Sequence, residues 1–223
     1  MRPLGLTVLL GGIVFGVAAE WTSFGAGAPT LAVADFGVGL VLLVCGVAAW
    51  DRRRESRVGP LMWLAALTWF LGTAFEPALY LHRGPLAHLS LSYPNGRLST
   101  PLSRIVVAAA YVYAATAPLA SNDAVTLMLS VAMALAAIQV LLRTSVPPRK
   151  AAMLALVATV AFAAVLALGA IGRAEAWGKD VLLWTYDVVI ASLAIVVFVD
   201  LMRRRWIEAV VTGLVVDLGA PQL

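Results

Sequence analysis

The stretch ALYLHRGPLAHLSLSYPNGR, residues 78–97, decides the fold of this chain. It is apolar enough to enter a bilayer, yet it carries His82, Arg83 and His88. Whether it crosses the membrane fixes the side on which every later segment lies. If it crosses, both ends of the chain are cytoplasmic.

The composition of the whole chain is typical of a polytopic membrane protein. Hydrophobic residues make up 62% of the 223 residues, charged residues make up 13%, and the mean hydropathy is +0.93. One soluble core could not bury that much apolar surface. A helix of about 20 apolar residues matches the roughly 30 Å hydrocarbon layer, and lipid cannot satisfy the free backbone groups of an open strand. Seven stretches qualify, or nearly so: 4–19, 31–50, 60–75, 105–120, 124–142, 151–172 and 181–202.

Basic residues orient these stretches, because Lys and Arg in short loops stay on the cytoplasmic side. Basic clusters follow the second, fifth and last stretches, whereas the loops 20–30 and 121–123 contain no Lys or Arg. The third stretch must therefore end outside, while Arg97 and Arg104 indicate the inside, so the chain crosses between them. Residues 78–93 can make this crossing, since sixteen residues reach about 24 Å as a helix, which is short but feasible.

The predicted fold is therefore an all-α transmembrane bundle of about eight spans, with both termini inside (N-in, C-in). The bundle occupies residues 1–205 with its short fourth span at 78–94, and a cytoplasmic segment follows at 206–223. This topology leaves only Arg83, Arg173 and Lys179 outside, of the 16 Lys and Arg residues.

The first stretch has a second interpretation. Arg2, a 16-residue apolar run and the small residues at 17–19 also resemble a secretory signal with its cleavage site. The apolar run is longer than the usual signal core, which favours a span. Cleavage would leave the later orientation unchanged.

Charged side chains within spans are candidates for function, because an unpaired charge is costly in lipid. Asp35 lies about 6 Å and Asp187 about 9 Å past the start of their stretches, so both could meet Arg83. In one interpretation a carboxylate neutralises Arg83 and holds the fourth span in place. In the other, an outer polar pocket binds a ligand or senses protons, with His82 as the titrating group. The predicted pocket residues are Asp35, Glu76, His82, Arg83 and Asp187.

The remainder of the opening stretch is assigned structural roles. His88 lies six residues beyond the other histidine, about 240° around a helix, so the two cannot ligate one metal or haem from the same face. It is expected to donate a hydrogen bond across a helix interface instead. Pro85 is expected to begin or kink the helix, and Pro94 and Gly96 to end it in a tight turn. Arg97 then lies at the inner headgroup level.

Sequence motifs indicate packing rather than catalysis. There is no GxxxxGK[ST], HExxH, GxSxG or CxxC pattern, so no enzymatic activity, metal or cofactor is predicted. Glycines in the first two stretches would instead let helices approach closely. These are Gly11, Gly12, Gly16, Gly37 and Gly39.

The segment 206–223 carries apolar residues at coiled-coil spacing. Ile207, Val211, Leu214 and Leu218 are 4, 3 and 4 residues apart, as in an a/d pattern. This spacing predicts an output helix. An amphipathic tail lying on the inner leaflet is an equal alternative.

Two runs resemble one family. The run LHRGPLAHLSLSYPNGRLSTPLSRIVVAAAY, residues 81–111, resembles part of the membrane-embedded N-terminal sensory region of actinobacterial sensor histidine kinases, and WIEAVVTGLVVDLG, residues 206–219, is similar to the piece leading toward their kinase. The resemblance implies a plasma-membrane input module of a two-component system, acting as a homodimer, with a cytoplasmic kinase domain or a response regulator as partner. No histidine follows His88, so the phosphoacceptor helix and ATP-binding domain are not in this chain. The chain is then either a fragment or a stand-alone relative.

The working hypothesis is a membrane sensory module that relays a signal from the outer pocket, through the last span, to the segment beyond residue 205. Its partners are the lipid bilayer and the signalling proteins named above, and no nucleic acid is expected. A small transporter or transport accessory subunit is the first alternative, although charges near the membrane midplane would be expected of it. A structural membrane subunit is the second.

Overall fold

The computed structural model describes residues 3–24, 29–144 and 149–219, with side chains described in 3–21, 29–144 and 150–203. The described residues form helices, turns and loops without any strand, so the predicted all-helical fold is confirmed for them. The helices are α1 (Pro3–Phe24), α2 (Pro29–Arg52), α3 (Val58–Ala74), α4 (Arg83–Ser92), α5 (Pro101–Ala115), α6 (Ala117–Ala120), α7 (Asp123–Arg143), α8 (Arg149–Ala174) and α9 (Lys179–Gly219).

Five of the described helices are long and apolar enough to cross a membrane, namely α1, α2, α7, α8 and α9. Helices α3 and α5 are equally apolar in character but shorter. This pattern is that of a helical membrane protein. The count of eight spans and the inward orientation of both termini stay predictions.

Residues 76–96 run back along the whole length of α3. At one end Gly72 packs closely on Leu79, and at the other the Arg57 backbone N–H donates to the Asn95 carbonyl at 3.2 Å. Since α3 has 17 residues, this distance is about 25 Å. The returning segment is not one helix: a 3-10 turn, Glu76–Ala78, and an irregular turn precede the ten-residue α4. A short helix with turns at both ends thus covers a membrane-sized distance.

Contacts with α9 give the same length for this segment. The His82 ring lies against Tyr186, and the Tyr93 hydroxyl donates to the Asp200 carboxylate. Tyr186 and Asp200 are 14 residues apart on one helix, which corresponds to about 21 Å. The two ends of residues 82–93 therefore meet α9 at points separated by most of the thickness of a hydrocarbon layer.

The predicted continuous stretch 105–120 is wrong in its details, because the helix breaks at Thr116. Helix α5 begins earlier, at Pro101, where the Thr100 hydroxyl accepts the Ser103 N–H at 3.1 Å. It ends at Ala115, and Thr116 is extended with φ −116° and ψ 91°. Pro118 explains the break, since its ring has no N–H and would collide with the carbonyl four residues earlier in a continuous helix.

Helices α2 and α3 approach each other backbone to backbone at two glycines. A Cβ added at Gly46 would lie 2.6 Å from the Trp63 backbone nitrogen, and one at Gly59 would lie 2.6 Å from that of Trp50. Of the glycines predicted to allow close packing, Gly12, Gly16 and Gly39 do face neighbouring side chains, whereas Gly11 and Gly37 have nothing within 4 Å.

Helix α9 continues without a break past the predicted boundary at residue 205. Its 41 residues run from the cavity described below to Gly219. The side chains of the predicted coiled-coil pattern at 207–218 lie outside the residues whose side chains are described, as do the last four residues of the chain altogether.

Candidate functional site

A cavity of about 250 Å³ lies between α2, α3, α8, α9 and the turn that leads into α4. Its walls are mostly apolar, with a small polar portion. Because the turn before α4 is irregular, it opens space that a continuous helix would fill. The lining residues are Asp35, Trp69, Thr73, Leu79, Tyr80, His82, Arg83, Val165, Leu166, Gly169, Arg173, Leu182, Leu183, Tyr186 and Asp187.

One wall of the cavity is aromatic. The rings of Trp69 and Tyr186 stack with centroids 5.8 Å apart and planes inclined by 14°. His82 contacts both rings, with its centroid 4.5 Å from that of Trp69 and its Nε2 atom 2.9 Å from the Tyr186 hydroxyl. His82 is only 8% exposed, so the wall fixes both the imidazole and the start of α9.

Arg83 is directed toward α5 and α6. Its Nη1 atom donates to the Tyr113 hydroxyl at 2.5 Å and to the Ala120 carbonyl at 3.2 Å, and its guanidinium lies 4.4 Å from the centre of the Tyr80 ring. Nε is buried and has no hydrogen-bond acceptor among the described residues.

The sequence interpretation in which a carboxylate neutralises Arg83 is wrong for the described part of the chain, where this side chain forms no ion pair. The reason lies in the broken α5–α6 region. The last carbonyls of a helix have no partner within it, and Ala120, the final residue of α6, offers one to the guanidinium. A phenol, a carbonyl and an aromatic face together replace the expected carboxylate.

Three carboxyl groups lie at or near the cavity. Asp35 and Asp187 line it, and Glu20 lies near enough to both for their charges to repel one another. Asp187 is 4% exposed and Glu20 2%. The Thr73 hydroxyl lies near Glu20, but neither oxygen of Glu20 makes a hydrogen bond of good geometry with a described residue.

Four of the five predicted pocket residues thus meet at one cavity: Asp35, His82, Arg83 and Asp187. The fifth, Glu76, is exposed in the 3-10 turn and does not line it. Three residues that the sequence analysis did not select also shape the site, namely Glu20, Tyr113 and Tyr186. Glu20 could have been found, since it directly follows an apolar stretch, but the charge pattern assigned it to a loop.

The residues given structural roles lie on and beyond α4. His88 Nδ1 is 3.4 Å from the Tyr111 hydroxyl on neighbouring α5. Pro85 is the third residue of α4, and Pro94 follows a cis peptide bond in the turn after it. Gly96 has φ +70° and packs directly on Arg57, and Arg97 is exposed.

Comparison of the chain with protein-family models, curated proteins and solved structures finds no match.

Proposed function

We propose that this chain is a membrane sensory module that couples occupancy of the cavity to the segment of α9 beyond Arg203. One observation carries the proposal: α9 lines the cavity with Leu182, Tyr186 and Asp187 and then continues as an unbroken helix to Gly219. A continuous helix transmits a tilt or rotation at one end to its other end. The family resemblance supports the same function, with a homodimer in the plasma membrane signalling to a kinase domain or a response regulator.

The relay requires two helix arrangements with different affinity for whatever occupies the cavity. Among the described residues, polar contacts join α9 to the segment 76–96 at His82–Tyr186 near the cavity and at Tyr93–Asp200 toward the other end. A ligand that displaced the Tyr186 ring would weaken the first contact and leave the second as a pivot. Movement of α9 would then be largest at its two ends.

The test uses the full chain in lipid nanodiscs, with its native cysteine replaced and a spin label at Glu208→Cys. Tyr186→Phe removes the hydroxyl next to His82, and Asp187→Asn removes a cavity charge. Both are expected to change the mobility and accessibility of the label. Asp180→Asn is the matched control, because Asp180 is exposed and lies seven residues before Asp187, on the same face of α9.

Thermal unfolding of each variant establishes that it is folded. If folded cavity variants leave the label spectrum identical to that of the control, α9 does not relay the state of the cavity.

A transporter is the second candidate, and the broken helices favour it. Arg83 follows the irregular turn and Ala120 follows the break at Thr116, and a hydrogen bond joins these two residues. Discontinuous helices form the substrate sites of many transporters. The discriminating measurement is uptake of radiolabelled methylammonium into proteoliposomes. Accumulation that is lost in Asp187→Asn and kept in Asp180→Asn would favour transport.

A further inference from the structure

We infer that the cavity binds a small organic cation, an ammonium group carried on an apolar or aromatic body, with Asp35 and Asp187 as the groups that receive its charge. The inference deepens the proposed function by naming the ligand class of the same cavity. It depends on which charges at the cavity already have partners and which do not.

The two cationic side chains of the cavity are both engaged elsewhere. Arg83 donates through Nη1 to Tyr113 and Ala120, and its Nε is buried without an acceptor among the described residues. Arg173 donates twice to the Asp123 carboxylate, at 2.6 and 2.9 Å. An anionic ligand would therefore have to compete with these contacts for either positive charge.

The carboxylates of the cavity, in contrast, have no cationic partner among the described residues. Asp187 lines the cavity and is only 4% exposed. It makes no hydrogen bond or ion pair with any described residue. Asp35 also lines the cavity, and the buried Glu20, whose oxygens have no hydrogen-bond partner, adds a third carboxyl group nearby. A buried charge is costly unless it is paired. A cationic ligand would supply the partner that these carboxylates lack.

The remaining walls determine the kind of cation. No group of three His, Cys, Asp or Glu side chains within the described ranges is arranged to hold a metal ion. Trp69 and Tyr186 instead line the cavity with aromatic side chains, and aromatic rings attract organic ammonium groups. Tyr80 lines it too, but the Arg83 guanidinium already lies over its ring. The aliphatic side chains of α8 and α9 complete an apolar lining. A volume of about 250 Å³ accommodates a single ring with a short amine chain.

The test compares three probes of one shape and different charge on the full chain in nanodiscs, by isothermal titration calorimetry against empty nanodiscs. The probes are phenethylamine, 2-phenylethanol and phenylacetate. We expect phenethylamine to bind at least about tenfold more tightly than the other two, a difference of about 1.4 kcal/mol. Asp35→Asn and Asp187→Asn should each weaken the binding of phenethylamine by about tenfold or more, whereas Asp180→Asn should leave its affinity unchanged.

Several results would overturn the inference. Tighter binding of phenylacetate would make Arg83 the recognition group, and equal binding of all three probes would make the cavity merely apolar. Absence of binding at millimolar concentration would also refute the ligand class. The comparison of probes on the unaltered chain needs no variant, so misfolding of Asp35→Asn or Asp187→Asn does not prevent the test.

The outcome separates this inference from the proposed relay. Binding of phenethylamine without any response of the Glu208 label keeps the ligand class and refutes the relay. A label that responds to cavity substitutions in a chain that binds no amine refutes the ligand class and keeps the relay.

Discussion

Gly46→Ala is expected to destabilise the bundle strongly, because α2 and α3 touch through their backbones at this point. The new methyl group would lie 2.6 Å from the Trp63 nitrogen, 2.9 Å from the Met62 Cβ and 3.0 Å from the Gly59 oxygen. Carbon atoms at rest lie about 3.5–4.0 Å from their neighbours, so the helices would have to separate by roughly 1 Å. Two of the three obstructing atoms belong to the backbone and cannot rotate away.

The magnitude follows from what the separation would undo. Leu42, Leu43, Met62 and Ala65 are fully buried in the two helices that meet here. A gap of about 1 Å forfeits a quarter to a half of each dispersion contact across the interface. Overpacking costs about 1–3 kcal/mol in well-packed cores, and we expect a loss of about 3 kcal/mol in the free energy of unfolding, at the upper end of that range.

The assay is reversible unfolding in mixed micelles by titration with sodium dodecyl sulfate, followed by circular dichroism. Gly37→Ala is the matched control on the same helix, since nothing lies within 4 Å of its new methyl group. Alanine is the better helix former, so this control should raise the free energy of unfolding by about 0.5–1 kcal/mol. The double variant Gly46→Ala with Gly59→Ala should lose less free energy of unfolding than the two single variants lose in sum, because one separation of the helices accommodates both methyl groups.

If the free energy of unfolding of Gly46→Ala lay within about 0.5 kcal/mol of that of Gly37→Ala, the close backbone contact would be refuted, because ordinary surface substitutions have effects of that size.

Three further predictions concern topology and the polar contacts. In a cysteine-free background, Asn122→Cys should react with a membrane-impermeant maleimide on intact cells and Asn95→Cys should not; labelling of Asn95→Cys would contradict the fourth crossing. Arg83→Met and Tyr113→Phe, alone and together, should show a coupling energy of about 1–2 kcal/mol in the micelle assay, because their hydrogen bond is charge-assisted and shielded; additive effects would contradict it. Asp123→Asn should change the free energy of unfolding by less than about 0.5 kcal/mol, because its ion pair with an arginine of α8 is solvent-exposed. A larger loss would show that this ion pair stabilises the bundle.

Much of the helix pattern could be predicted from hydropathy, and its failures have local causes. Thr116 interrupts a stretch that looked continuous, since apolarity alone does not register the missing N–H of Pro118. A charge after an apolar stretch ordinarily marks the end of a span and predicts a loop position for Glu20, yet α1 extends to Phe24 and buries this side chain. Both signals were present in the printed sequence.

The partners at the cavity could not be predicted in the same way. Opposite charges suggested an ion pair between Arg83 and Asp35 or Asp187, but Arg83 hydrogen-bonds to Tyr113, 30 residues away along the chain. His82 meets Tyr186 across 104 residues. Such choices depend on the rotation of each helix about its own axis, which hydropathy does not specify when helices are apolar on most faces.

Hydropathy alone establishes that this chain is helical and suited to a bilayer, because lipid leaves its long apolar stretches no other way to satisfy their backbone groups. It also marked the stretch 78–97 as the place where polar groups enter the bundle. The partners of its charged groups came from the packing: Arg83 is held by Tyr113 and Ala120, while Asp35 and Asp187 line the cavity without a paired cation among the described residues. A charged group buried among helices takes whichever partner the packing presents, and packing is a property of the whole bundle.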